Sequence, residues 1–162
     1  MVGVGVFGRN HARVYRELEQ QGEPVRLAAV VDTNLERADA VAREFGCRAF
    51  GSIEQMLATY AEISAASVAT PTCQHLEVAS ALIESGVDVL IEKPLATSLA
   101  EADRIEATSI AFPAISTGVY GYPTHLAASI AVSTVHDTPT QVELIRFVVF
   151  DSDTLALYQT LL

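Results

Sequence analysis

Short apolar runs alternate with helical patterns along almost the whole chain, and this alternation constrains the fold more than any other feature. Val25–Val31, Ile63–Ala69, Val87–Ile91, Ser109–Ile115 and Val142–Phe150 are short and nearly continuous in Val, Ile, Ala and Phe. Such runs read as strands buried on both faces. Cys47–Phe50 is a further short candidate. Between them, Asn34–Phe45 puts Leu35, Ala38, Val41, Ala42 and Phe45 on one helical face, and Ser52–Tyr60 does the same with Ile53, Met56, Leu57 and Tyr60. Cys73–Glu84 is a helix stopped by Gly86, and Ser98 caps Leu99–Ala107. Pro123 opens Thr124–His136. Ser152 and Asp153 open a last helix with Leu155, Tyr158, Leu161 and Leu162 facing inward. Strands that alternate with helices are parallel and joined by right-handed crossovers, with helices on both faces. The expectation is one α/β domain over residues 1–162, a single doubly wound, mostly parallel sheet in the order 3-2-1-4-5-6 with a seventh strand beside the sixth. No linker, charge run or repeat divides the 162 residues.

Composition excludes several classes. Lys and Arg total 10 against 20 Asp and Glu, a net charge of −10. A nucleic-acid binder needs the opposite balance, because Lys and Arg neutralise phosphates. No apolar run approaches the roughly 20 residues of a membrane helix. The chain reads from its start into a glycine-rich motif with no leader pattern, so the expected location is cytoplasmic. Cys47 and Cys73 make neither a disulfide framework nor a zinc site, and no metal is expected. The only lysine is Lys93. The oligomeric state stays open.

Gly3-Val4-Gly5-Val6-Phe7-Gly8 is a GxGxxG turn, preceded only by Met1 and Val2, so the first strand is expected to be a stub. Gly3 and Gly5 permit a tight turn and close approach to a pyrophosphate. Gly8 lets the following helix pack closely, and the helix N-terminus supplies N–H groups. Alone the motif is weak. Asp32, at the end of Val30-Val31-Asp32 and 24 residues after Gly8, strengthens it, because an acid there holds ribose hydroxyls. A carboxylate also repels a 2′-phosphate and favours NAD over NADP.

Up to about Ile105 the chain resembles the N-terminal domain of the glucose–fructose oxidoreductase/inositol dehydrogenase family. The resemblance rests on Gly3–Tyr15, on Val31-Asp32 with Glu36-Arg37-Ala38, on Ala69-Thr70-Pro71 followed by His75, and on Val89–Ala96 with its Glu92-Lys93-Pro94 signature. It implies that Gly3, Gly5, Phe7, Gly8 and Asp32 contact NAD, with Asp32 on the adenosine ribose. It implies that Thr70, Pro71 and His75 line the cofactor cleft. Glu92 and Lys93 would lie near the nicotinamide, with Lys93 as the catalytic group.

From about Thr108 the chain resembles the C-terminal part of a macrodomain, through Ser109–Pro123, Thr124–His136 and Phe147–Leu162. Ser116, Thr117, Gly118, Val119, Tyr120 and Gly121 form a glycine-bounded loop whose N–H groups and hydroxyls can cradle an anion. Tyr120 can stack on a ribose or base. The resemblance implies ADP-ribose as the ligand of this loop. Two partial families joined near Asp103–Thr108 point to a recombined, engineered chimera. The expected function is residual binding of NAD or another ADP-containing dinucleotide, without a complete active site. Two alternatives stay open: an NAD-dependent oxidoreductase using Lys93, and an ADP-ribose-binding module using Ser116–Gly121.

Overall fold

The computed structural model describes residues 1–105, 107–118 and 120–162; the side chain of Leu99 is outside the description. The chain divides into two compact units, Met1–Ile105 and Glu106–Leu162.

The first unit is a parallel sheet. β1 (Ala29–Val31) pairs with β2 (Arg48–Phe50), and β3 (Ala65–Val68) pairs with β4 (Asp88–Ile91), all in parallel. Val2 joins the two pairs by bridging Val31 on one side and Val68 on the other. Its neighbours complete the ladder: Val2 N donates to Ser67 O at 2.7 Å, Gly3 N to Val31 O at 2.8 Å and Ala69 N to Val2 O at 2.9 Å. The stub expected from the sequence is therefore a one-residue centre in the order β2-β1-Val2-β3-β4. These are the first five positions of the expected order.

Helices cover both faces, and the pleat explains why. Val30 and Val4 point to one side and pack with Ala12 of α1 (Val6–Gln20) and with Ala38, Val41 and Ala42 of α2 (Leu35–Phe45). Ala29, Val31 and Val68 point to the other, against Ile53 and Met56 of α3 (Ile53–Thr59) and Leu82 of α4 (His75–Glu84). Alternate residues of a strand face opposite sides. Asn34 and Ser52 cap α2 and α3 by accepting the N–H groups of Arg37 and Gln55. Gly46 ends α2 at φ 67°, where a side chain would be strained. α5 (Leu99–Asp103) is capped by Ser98 and is shorter than expected; Glu106, inside the expected helix, lies outside the described residues.

The second unit has β5 (Ser109–Pro113), α6 (Thr124–Asp137), β6 (Leu144–Val148) and α7 (Ser152–Leu161). β5 and β6 pair with each other in parallel, from Ser109 opposite Leu144 to Pro113 opposite Val148, and form a sheet of their own. This corrects the expectation of one sheet through residues 1–162. A parallel partner needs a crossover long enough to return along the strand. The segment that holds α6 provides one between β5 and β6. Burial alternates along both strands, as in strands with one covered face. Phe147 stacks on Tyr158 of α7 with ring centroids 4.9 Å apart. The inward face of α7 also differs from expectation. Tyr158 is buried as expected and Thr154, four residues before it on the same helical face, is buried with it, while Leu155, Leu161 and Leu162 are exposed; Asp151 caps the helix. Among the described residues no helix is long and apolar enough to cross a membrane.

Candidate functional site

The C-terminal ends of the first unit's strands bring Asp32, Gly3, Thr70 and Glu92 into a row. Neighbouring strands lie about 4.8 Å apart, so β1 to β4 spans roughly 14 Å, a length suited to an extended dinucleotide. Ligands of open α/β sheets bind at this edge, where strand order reverses. Here the reversal is at Val2, between β1 and β3. A hollow of about 590 Å³ opens beside it, walled by Gly3, Gly5, Asp32, Arg37, Thr70 and Pro71 among others.

The three glycines differ in what constrains them. Gly3 has φ 78°, and a Cβ on it would lie 2.8 Å from Thr70 N. A Cβ on Gly8 would lie 1.7 Å from Gly3 O. A Cβ on Gly5, the residue before α1, would meet nothing within 4 Å. Gly3 and Gly8 are thus required by the protein's own packing. Gly5 is not, and the space beside it belongs to the hollow. Gly5 has no side-chain cap for α1. Phe7 stands exposed in the first turn of that helix.

Asp32 is 8% exposed, and both its oxygens are engaged. Oδ2 accepts Val4 N at 2.9 Å and faces Arg37 Nη1 at 3.4 Å; Oδ1 accepts Asn34 N at 2.8 Å. The carboxylate therefore fixes the glycine turn and the start of α2 as well as facing the hollow. Thr70 Oγ1 is buried without a partner beside it.

His75 is 1% exposed and does not wall the hollow. Its Nε2 lies 2.9 Å from Thr70 O, and its Nδ1 lies 3.1 Å from both Pro94 O and Leu95 O. The imidazole supports the cleft from behind, which corrects the expectation that it lines it. Glu92 and Lys93 follow β4, and Lys93 is exposed. Glu92 Oε1 lies 2.8 Å from His11 Nε2 on α1. His11 is not among the residues that the sequence marks; its one signal is a histidine in the second turn of the helix of the glycine motif.

In the second unit, Ser116 takes a left-handed conformation at φ 63°. It borders an apolar hollow of about 380 Å³ with Phe112, Ile115, Tyr122, Ile130 and Phe147. Tyr122 N donates to Ser116 O and Gly121 N to Gly118 O, which closes the loop on itself. Thr117 donates its hydroxyl to Ala114 O at 3.4 Å. Tyr120 is 88% exposed, and Val119 lies outside the described residues.

Residues 1–110 match the oxidoreductase family with an NAD-binding Rossmann fold. The chain is 44% identical over 105 residues to a UDP-N-acetylglucosamine 3-dehydrogenase of Acidithiobacillus ferrooxidans, covering 65% of this chain and 31% of that protein. It superimposes with a TM-score of 0.58 on the WlbA dehydrogenase of Bordetella pertussis, solved in complex with NADH and UDP-GlcNAcA, at 32% identity over 65% of this chain and 31% of that one. The C-terminal part is similar to macrodomain proteins. An O-acetyl-ADP-ribose deacetylase of Salmonella newport is 49% identical over 76 residues, covering 45% of this chain and 42% of the relative. The chain thus spans about a third of the length of the first curated relatives it matches. Through its first two-thirds, it belongs to the oxidoreductase family that carries an NAD-binding Rossmann fold.

Proposed function

We propose that residues 1–105 bind NAD, or another ADP-containing dinucleotide, along the C-terminal edge of the sheet, without turnover. The observation that carries this reading is the open space at Gly5, set between a glycine turn and the Asp32 carboxylate. The pyrophosphate lies over Gly3–Gly5, where the first N–H groups of α1 and its dipole favour an anion. The adenosine ribose meets Asp32, and Thr70 Oγ1 supplies a hydroxyl on the β3 side. Glu92 and Lys93 stand at the distal end. Bound NAD would supply the hydride-accepting ring; the chain's residues bind and orient it. The chain joins segments of two families, which supports reading it as a recombined protein.

A second reading is favoured by the left-handed turn at Ser116 and by the similarity to an O-acetyl-ADP-ribose deacetylase. In it, the 116–121 loop takes the diphosphate of ADP-ribose. Calorimetric titration of the full chain with NAD, ADP-ribose and AMP separates the two. The first reading expects NAD heat that is abolished by Gly5→Val and kept by Ser116→Ala. Loss of heat on Ser116→Ala alone transfers the site to the loop, and no heat from any ligand at millimolar concentration rejects both.

A further inference from the structure

Lys93 sits on a segment gripped on both sides by imidazoles from different helices. On its N-terminal side, Glu92 Oε1 is 2.8 Å from His11 Nε2 of α1, while Glu92 Oε2 faces the backbone N–H of Lys93 at 3.3 Å. On its C-terminal side, His75 Nδ1 lies 3.1 Å from the carbonyls of Pro94 and Leu95. The His11–Glu92 contact links residues 81 apart in sequence. It connects the helix that opens the glycine turn to the strand end that carries the chain's single lysine.

The two grips differ in kind. His75 is 1% exposed and inside the fold. The His11–Glu92 pair is about a quarter exposed on each side, and a pair so exposed adds little to global stability. What it does constrain is local. With a proton on Nε2, His11 donates to one carboxylate oxygen and turns the other toward Lys93 N, which removes freedom from the backbone that carries Lys93. Displacement of a functional group by about an ångström is costly to a site even where the fold is unaffected.

We infer that His11 is a positioning residue for Lys93, acting through Glu92, so that the distal half of a bound dinucleotide depends on it and the adenosine half does not. This rests on the dinucleotide reading above. The experiment uses the full chain with Lys93 reductively dimethylated by ¹³C-formaldehyde and a borane reductant, which gives one side-chain lysine signal. NAD and AMP are titrated while that signal is followed. In the unaltered chain NAD shifts the Lys93 signal and AMP leaves it in place. His11→Ala weakens NAD about tenfold, leaves the AMP affinity within about twofold, and removes the NAD-induced shift. His11→Gln, whose amide can still donate to Glu92, restores the shift. Glu92→Gln gives the same signature as His11→Ala and serves if the latter fails to fold; His136→Ala, on the exposed end of α6, changes nothing. Equal weakening of NAD and AMP, or no weakening of either, overturns the role of His11 while the dinucleotide reading stands. An unaltered chain that binds NAD and AMP but gives no NAD shift at Lys93 also overturns it. An unaltered chain that binds none of these removes the reading and this inference together.

Discussion

Asp32 Oδ2 lies 2.9 Å from the backbone nitrogen of Val4, so one carboxylate oxygen ties the end of β1 to the glycine turn before α1. The same group faces the hollow. Asp32 should therefore affect both stability and affinity, and two substitutions separate them. Asp32→Ala leaves the N–H groups of Val4 and Asn34 without their acceptor and costs about 1–3 kcal/mol, read as a lower melting temperature. Asp32→Asn keeps an acceptor oxygen and should cost less stability while still weakening NAD by roughly tenfold. Thermal melts paired with titrations check both; equal NAD affinity in Asp32→Asn and the unaltered chain would place the ribose elsewhere.

The glycines make a sharper contrast. Gly5→Val adds a side chain into open space at an extended backbone position, so the melting temperature should stay within a few degrees while NAD binding is lost. Gly8→Ala forces a methyl group onto Gly3 O and should destabilise the fold by at least about 1–3 kcal/mol. Melts of the two variants should differ in this order. A strongly destabilised Gly5→Val would mean that the turn itself, and not a ligand, requires that glycine.

Much of the first unit was legible because its local signals agree. Asn34, Ser52 and Ser98 cap the helices that they announce, and Val31-Asp32 marks a strand end. The one-residue strand at Val2 was legible only through the glycines after it. The second unit's strands and helices are legible too, but not that its strands form a separate sheet, because Ser109–Ile115 and Val142–Phe150 look continuously apolar. In the fold Ile110, Phe112, Ile145 and Phe147 are half-buried, while Ser109, Ala111, Leu144 and Arg146 are exposed. That period of two belongs to strands covered on one face. A place in a motif is all that points His75 to the cleft. Its ring nitrogens are held by the carbonyl of nearby Thr70 and by those of Pro94 and Leu95, the last two being distant partners that no local pattern displays. His11 escaped for the same reason.

Asp151 supplies a pH prediction for the second unit. It accepts Thr154 N at 2.7 Å and the Thr154 hydroxyl at 2.8 Å, and these bonds hold its carboxyl below the ordinary value. A depressed folded-state value means that the unfolded chain takes up the proton first as pH falls. The cap's contribution is full above the ordinary carboxylate value and is lost as pH falls through the lower, folded one. The Thr154 amide resonance should therefore titrate in acid below the usual carboxylate range. In Asp151→Asn that titration should be absent, with α7 weakened at neutral pH. A Thr154 amide that titrates at the ordinary carboxylate value would contradict the cap.

Lys93 is exposed, and hydride transfer needs a substrate held within about 3–3.5 Å of the reacting atom with water excluded. The chain of 162 residues should therefore not reduce NAD in the presence of inositol, glucose or related polyols. Absorbance at 340 nm checks this. A rise that disappears in Lys93→Ala would identify the chain as an enzyme in its own right.

A crystal of the full chain soaked with NAD reads the placement of a dinucleotide along the row Asp32, Gly3, Thr70 and Glu92. Density is expected with the adenosine ribose at Asp32, the pyrophosphate over Gly3–Gly5 and the distal half running toward Glu92 and Lys93. Density confined to the Ser116–Gly121 loop, or none over Gly5 at a concentration that saturates the calorimetric signal, would contradict it.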